Sequence, residues 1–279
     1  MNTLKETLLN YKNEHKALPA FNIDSFEVFQ AVTLAVQDTH LPCIVQLSAH
    51  EDKFIGAENL FMLVRKANLD SLPIYLNMDH GQDLARLEKL VRLGFDMVHF
   101  DGSSLPYVQN LSSATTFVKS IRALNPDIVV EVEFNKINLI EKGVDPSSYT
   151  DPTLAQEFML TTGADLLASS IGNLHGVNTS LPENIDLARL QNIVSLLPDK
   201  LFTLHGGSGI SPDQIKSAIN LGIVKININT DLRLAFKKSL AESINTSTSE
   251  KVYDYLAPAV STIADIIMQK LIDFSNPTL

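Results

Sequence analysis

The chain has 279 residues, 45% of them apolar, a formal charge of −10 and one cysteine, Cys43. That length suits one large domain or two small ones, and the apolar share is enough to bury a sizeable core. A lone cysteine excludes an intrachain disulfide and a zinc ribbon, and the acidic balance argues against broad nucleic-acid binding while still allowing a small anionic substrate at a local site.

Met1 to Lys16 mixes charge with amphipathic spacing. Leu4, Leu8, Leu9 and Tyr11 there give a short leading helix rather than the apolar block of a signal peptide. No apolar run is long enough to span a membrane, and a cytoplasmic location is expected. Strand-length apolar runs then alternate with helix-period segments. The strands are expected at Pro19–Ile23, Cys43–Ser48, Pro73–Met78, Met97–Asp101, Ile128–Phe134, Asp165–Ser170, Leu201–His205 and Val224–Ile228. Between them Phe26–Gln37, Leu84–Leu93, Tyr107–Leu124 and Pro212–Leu221 place apolar residues three and four apart, as packed helices do. Ser211-Pro212 opens the last of these, Ser as cap and Pro at the first helical position. Leu232–Ile244 and Ala257–Phe274 read as closing helices.

Eight βα units predict a (β/α)8 TIM barrel with additional N- and C-terminal helices, as one domain over residues 1–279. An open sheet usually has fewer strands, and no Gly-x-Gly-x-x-Gly follows the first strand, so a dinucleotide site is not expected. No Pro/Ser-rich linker divides the chain. Asp145-Pro146-Ser147-Ser148-Tyr149 falls in one long connection after strand five, where a mobile loop can sit.

In a parallel barrel the C-terminal strand ends converge on the face that carries the site. Those ends are Asn22, Ser48, Asp79 with His80, Asp101, Glu131 with Glu133, His175, His205 and Asn227. Five of the eight therefore offer a His, Asp or Glu that binds a metal or moves a proton. Three histidines, His80, His175 and His205, can meet at the mouth as a three-His site with an open coordination position, which a Lewis-acid metal needs. The alternative is three unrelated polar caps on loops. Elsewhere, His15 and His40 belong to the opposite face, His50 to a surface loop, and His99 to the core as a satisfied histidine. Gly206-Gly207-Ser208-Gly209 and Asn227-Ile228-Asn229-Thr230 follow strands seven and eight, where this fold commonly holds a phosphate on backbone N–H groups and hydroxyls.

Taken in order, Pro19-Ala20-Phe21-Asn22, Asp79-His80, Asp101-Gly102-Ser103, Glu131-Val132-Glu133, Ile171-Gly172 with His175-Gly176, Leu204-His205-Gly206 and Asn227-x-Asn229-Thr230 resemble the class II, metal-dependent ketose-bisphosphate aldolases. That family includes the fructose- and tagatose-bisphosphate enzymes. The resemblance implies a catalytic Zn2+ on His80, His175 and His205, with Asp101 and Glu133 at a deeper alternate or second metal position or behind the ligands. It implies Asp79 as proton carrier on the hydroxyl at the cleaved bond and Glu141, on the loop after strand five, as the second acid. Substrate would be bound by Asn22, Ser48, Gly176, Gly206, Gly207, Ser208, Asn227, Asn229, Thr230 and Arg233, with a monovalent cation as a further implied cofactor. Arg233 is equally readable as a solvated helix residue.

The implied reaction is reversible cleavage of fructose 1,6-bisphosphate to dihydroxyacetone phosphate and glyceraldehyde 3-phosphate, as in glycolysis, by a homo-oligomer (dimer or tetramer). The alternatives are a tagatose 1,6-bisphosphate or other phosphorylated-ketose aldolase, and a divergent zinc- and phosphosugar-binding paralogue with weak turnover. The chain departs from its relatives at Asn135, Asn138 and Leu139, where they carry glycines before the catalytic Glu, at Asn77 in place of His, and at Asn173-Leu174 in place of smaller residues. Leucine tolerates left-handed backbone poorly, so either the loop takes another path or its closing motion is altered.

Overall fold

The structure, a computed structural model, describes residues 2–137, 145–174, 176 and 184–276. Eight parallel strands close into a barrel in sequence order, β1 (Leu18–Asn22), β2 (Cys43–Leu47), β3 (Ile74–Gly81), β4 (Met97–Asp101), β5 (Val129–Glu133), β6 (Leu166–Ala168), β7 (Leu201–Leu204) and β8 (Ile223–Ile228), with β8 pairing back onto β1. The expected (β/α)8 fold is the observed one.

Helix α1 (Leu4–Asn13) starts on a Thr3–Glu6 capping box and plugs the barrel floor. Its Leu4 and Leu8 pack on an apolar layer that includes Leu18, Ile44, Tyr75, Met97 and Leu201. The outer ring runs α2 (Phe26–Thr39), α3 (Ala49–Ile55), α4 (Ala57–Leu69), α5 (Leu84–Leu93), α6 (Tyr107–Leu124), α7 (Pro152–Thr162), α8 (Leu187–Leu196), α9 (Pro212–Leu221), α10 (Thr230–Thr246) and α11 (Val252–Ser275). A larger core fills the space between these helices and the outward strand residues, among them Val45, Leu76, Val98, Val130, Phe202 and Ile226. Ser211 caps α9 through the N–H of Gln214, with Pro212 at the first position, as the sequence indicated. Helix α11 has the length and apolar content of a membrane span, contrary to the expectation that no run does. It lies against α2 and α10 and buries Ile263, Ile267 and Leu271, as a wall helix of the barrel does.

Inside the barrel, polarity rises from floor to mouth. Above the apolar floor come Gln46, Asn77, His99, Glu131, Thr203 and Lys225, all without solvent exposure. The mouth follows, with Asn22, Asp79, His205 and Asn227. A barrel packed this way is stable because its floor is hydrophobic and each polar layer is cross-linked by hydrogen bonds.

Strand β3 runs three residues further than expected, to Gly81, so that Asp79 and His80 lie within it. Its register against β4 shifts between Met78, opposite Val98, and Gly81, opposite Phe100. His80 takes φ 50° at this bulge. Strict alternation would send consecutive residues to opposite faces. The bulge re-aims the strand so that both side chains reach the mouth.

Candidate active site

A cavity of about 170 Å³ opens at the C-terminal ends of the strands and is lined by Asp79, His80, His205, Asn22, Ser48 and Asn227, with Gly176, Gly206, Ser208, Asn229, Thr230 and Arg233 around them. Of the residues singled out from the sequence for substrate, Gly207 alone among those described does not line it. Its N–H donates to the Asn227 carbonyl at 3.1 Å. A Cβ there would sit 2.5 Å from Ile226, so this glycine serves the close approach of loop and strand β8. Gly206 carries a comparable constraint, with φ 65° and the Leu174 carbonyl oxygen 1.9 Å from where a Cβ would lie. His175, Glu141, Asn138 and Leu139 lie outside the described residues.

His80 and His205 meet across the mouth, Nε2 of the first 3.0 Å from Nδ1 of the second. Each ring is anchored through its other nitrogen on a carboxylate. His80 Nδ1 lies 3.2 Å from Asp101, and His205 Nε2 lies 2.7 Å from Glu131. Carboxylate-anchored imidazoles with their remaining lone pairs converging on one point are the arrangement that metal-binding histidines adopt. Asp79, His80, His99 and His205 offer ligand atoms all within 4.8 Å of one another, and His80, Asp101 and Glu133 form a second such group. His99 Nε2 and Glu133 Oε2 are buried, lie 3.6 Å apart and have no hydrogen-bond partner. The donor set and these orphaned atoms fit a divalent metal.

His99 is buried as expected, but it is not a satisfied core residue. Its Nδ1 receives the His80 backbone N–H at 3.1 Å and lies 3.3 Å from Asp79, while Nε2 is orphaned. Its parity with Asp101 was the available signal.

Asp79 is held by amides on two sides. Gln46 donates to it at 3.1 Å and to Asn22 at 3.0 Å, and Asn77 in turn donates to Gln46 at 3.0 Å. Asn227 reaches Asp79 at 3.3 Å. Below it, buried Lys225 lies 3.0 Å from Glu131, which also accepts from Thr203 at 2.9 Å. Gln46 and Lys225 were not singled out from the sequence, although each shares strand parity with a residue that was, Ser48 and Asn227.

The charges fall into a definite pattern. Burial alone would raise Asp79, but His80, His99, Lys225 and His205 outweigh it and hold the carboxyl well below its usual range. Burial would likewise lower His80, yet Asp79, Asp101 and Glu133 together raise it. His205 is pushed down to about 3 by burial, with the positive His80 adding to the effect, so its ring is neutral. Burial, reinforced by Asp101, Glu131 and Asp79, pushes Glu133 up to about 8.

On the β7–β8 side, the Gly206–Ser208 loop and the first turn of α10 frame the cavity, and Ser208 Oγ accepts the Asp231 N–H at 3.4 Å. A helix N-terminus beside a glycine loop favours an anionic group. Residues 2–277 match the family model for class-II fructose-bisphosphate aldolase. The chain belongs to that family. Fructose-bisphosphate aldolases of Streptococcus pyogenes serotypes M3 and M1 are each 30% identical over 274 residues, covering 93% of this chain and 92% of theirs. The YdjI aldolase from Escherichia coli K12 superposes with a TM-score of 0.85 at 26% identity, over 97% of this chain and 96% of that one. A structure of a fructose-1,6-bisphosphate aldolase candidate from Coccidioides immitis shares the fold, with a TM-score of 0.81 at 24% identity over 99% and 97% of the two chains. The aldolase family thus matches the resemblance carried by the strand-end motifs.

Proposed function

We propose that the protein is a zinc-dependent aldolase that reversibly cleaves a phosphorylated ketose between C3 and C4. The products are dihydroxyacetone phosphate and an aldehyde. The Streptococcus relatives are named for a fructose bisphosphate, so fructose 1,6-bisphosphate, which yields glyceraldehyde 3-phosphate as that aldehyde, is the first substrate to try. The observation that carries the reading is the placement of ionised Asp79 beside His80 and His205 in a cavity whose far wall is an anion cradle.

His80, His205 and His175 would hold the metal, with Asp101 and Glu133 as the deeper or second position. When bound, the metal supplies a Lewis acid that stabilises negative charge on the ketose oxygen. The chain's own groups do the rest. Gly176, Gly206, Ser208 and Thr230 bind the phosphate through N–H groups and hydroxyls, and Asn227 orients the carbon chain. Asp79 accepts the C4 hydroxyl proton as the C3–C4 bond breaks, its electron pair passing into the former ketose carbonyl. Glu141 returns a proton to C3. Gln46 and Asn227 fix the Asp79 carboxylate so that it meets that hydroxyl without rearranging. The same reading makes the protein a homo-oligomer, which its sedimentation would test.

Cleavage of fructose 1,6-bisphosphate or of fructose 1-phosphate by purified protein, coupled to triose-phosphate detection with and without a chelator, tests the reading. Chelator-sensitive turnover restored by zinc is the expected result. Turnover indifferent to the chelator would refute the metal dependence.

A further inference from the structure

The rim above β1 and β2 carries a carboxylate that the reaction does not use. Glu51, half-buried in the first turn of α3, accepts the Asn22 side-chain amide at 2.9 Å and the Ser48 backbone N–H at 2.6 Å. The Asn229 amide approaches its other oxygen at 3.4 Å. Asn22, Ser48 and Asn229 all line the cavity. Three donors that could hold an incoming anion therefore converge on one already built into the chain.

This matters because of where the rim lies along the substrate. Gln46 bridges Asn22 and Asp79, so Asn22 stands beside the group that takes the C4 hydroxyl proton. With the first phosphate on the β7–β8 side and C4 at Asp79, the remaining carbons leave toward Asn22, Ser48 and Glu51. A second phosphate there would meet a like charge and find its amide donors engaged, and both effects oppose binding. Arg233 is the only Lys or Arg among the described residues lining the cavity, and its guanidinium donates to the Thr230 hydroxyl at 3.5 Å. Hydroxyl groups suffer no such penalty, since a carboxylate and amide oxygens accept hydrogen bonds from them.

We propose that Glu51 is a specificity-determining residue that excludes a second phosphate, so that the enzyme works on ketose monophosphates whose released aldehyde is hydroxylated and uncharged. This rests on the aldolase reading above. In the synthetic direction, dihydroxyacetone phosphate loses a proton from C3, and that carbon forms a bond to the aldehyde carbon. The aldehyde oxygen gains a proton, and no electrons leave the system.

The test holds the donor constant and varies the acceptor by one phosphate. Zinc-loaded protein is given dihydroxyacetone phosphate with racemic glyceraldehyde or racemic glyceraldehyde 3-phosphate, and exchange of the donor's C3 hydrogen with deuterated solvent is followed separately. The wild type is expected to show the higher kcat/KM with unphosphorylated glyceraldehyde. Glu51→Gln keeps an oxygen for the Ser48 N–H but removes the charge, and it is expected to shift the ratio toward the phosphorylated aldehyde by about tenfold, through KM. Glu51→Ala should shift it the same way, and both shifts should shrink in high salt. A wild type that prefers the phosphorylated aldehyde overturns the proposal, as does a ratio unmoved by both variants. Absence of both solvent exchange and condensation would overturn the aldolase reading itself, whereas exchange with the wrong acceptor preference overturns only the role of Glu51.

Discussion

His80 Nε2 and His205 Nδ1 face each other at 3.0 Å, each ring tethered from behind by a carboxylate, Asp101 for one and Glu131 for the other. Because His205 is neutral and His80 is raised above its ordinary 6.5, a proton on His80 can bridge the two nitrogens in metal-free protein. A metal must displace that proton. Zinc titration of metal-free protein near neutral pH is therefore expected to release protons, with affinity falling as the solution becomes more acidic. Calorimetry in two buffers of different ionisation enthalpy measures this directly. Identical heats in both would rule out the shared proton. His205→Ala should lower the bound zinc per chain in the same preparation.

Asp79 sits within reach of the same ligand atoms, so its role as proton carrier needs separating from a role as ligand. Asp79→Asn keeps the volume and can keep its contacts with the Gln46 and Asn227 amides. As the acceptor of the C4 proton, Asp79 is expected to cost roughly a hundred- to ten-thousand-fold in kcat when replaced, with zinc content unchanged. Loss of zinc along with activity would make it a ligand instead.

Much of this site was legible because parallel βα units force their strand ends onto one face. Asn22, Ser48, Asp79, His80, His205 and Asn227 could be gathered from their positions after the strands alone, and the cavity gathers them. What alternation could not give was how Asp79 and His80, adjacent in a strand, reach the same mouth. That depends on the bulge and on the left-handed backbone of His80. A glycine-rich loop can admit either a ligand or a neighbouring strand, a choice the sequence alone leaves open, and at Gly207 the close neighbour is β8. Gln46, Lys225 and the orphaned side of His99 stayed hidden since a buried polar layer below the mouth has no motif, only strand parity.

Lys225 and Glu131 form a fully buried ion pair, the most demanding element of that hidden layer. Burial would raise Glu131, but Lys225, His99 and His205 outweigh it and hold it below the usual carboxylate range. Lys225→Met removes its nearest positive charge and is expected to cost about 3–5 kcal/mol. For a chain of this size that corresponds to a fall in melting temperature of roughly 10 °C, readable by calorimetry. Adding Glu131→Gln should recover part of the loss, because the stranded charge goes with it. A single variant as stable as wild type would show that the pair is not coupled.

Glu133 gives a pH dependence of opposite sign to ordinary acid unfolding. Its carboxyl rises from 4.5 to about 8, driven first by burial and then by Asp101, Glu131 and Asp79. Between those two values folded, metal-free protein holds a proton that the unfolded chain has released. Stability then falls as pH rises through that window, being fully present below 4.5 and lost by about 8. Denaturant titrations of metal-free protein across this range should show the decline, and Glu133→Gln should flatten it. Zinc at the His80, Asp101 and Glu133 group would keep the carboxylate ionised and remove the slope as well. A slope that survives saturating zinc but vanishes in Glu133→Gln would confine the metal to the outer His80–His205 position. A slope insensitive to Glu133→Gln would place the titrating group elsewhere.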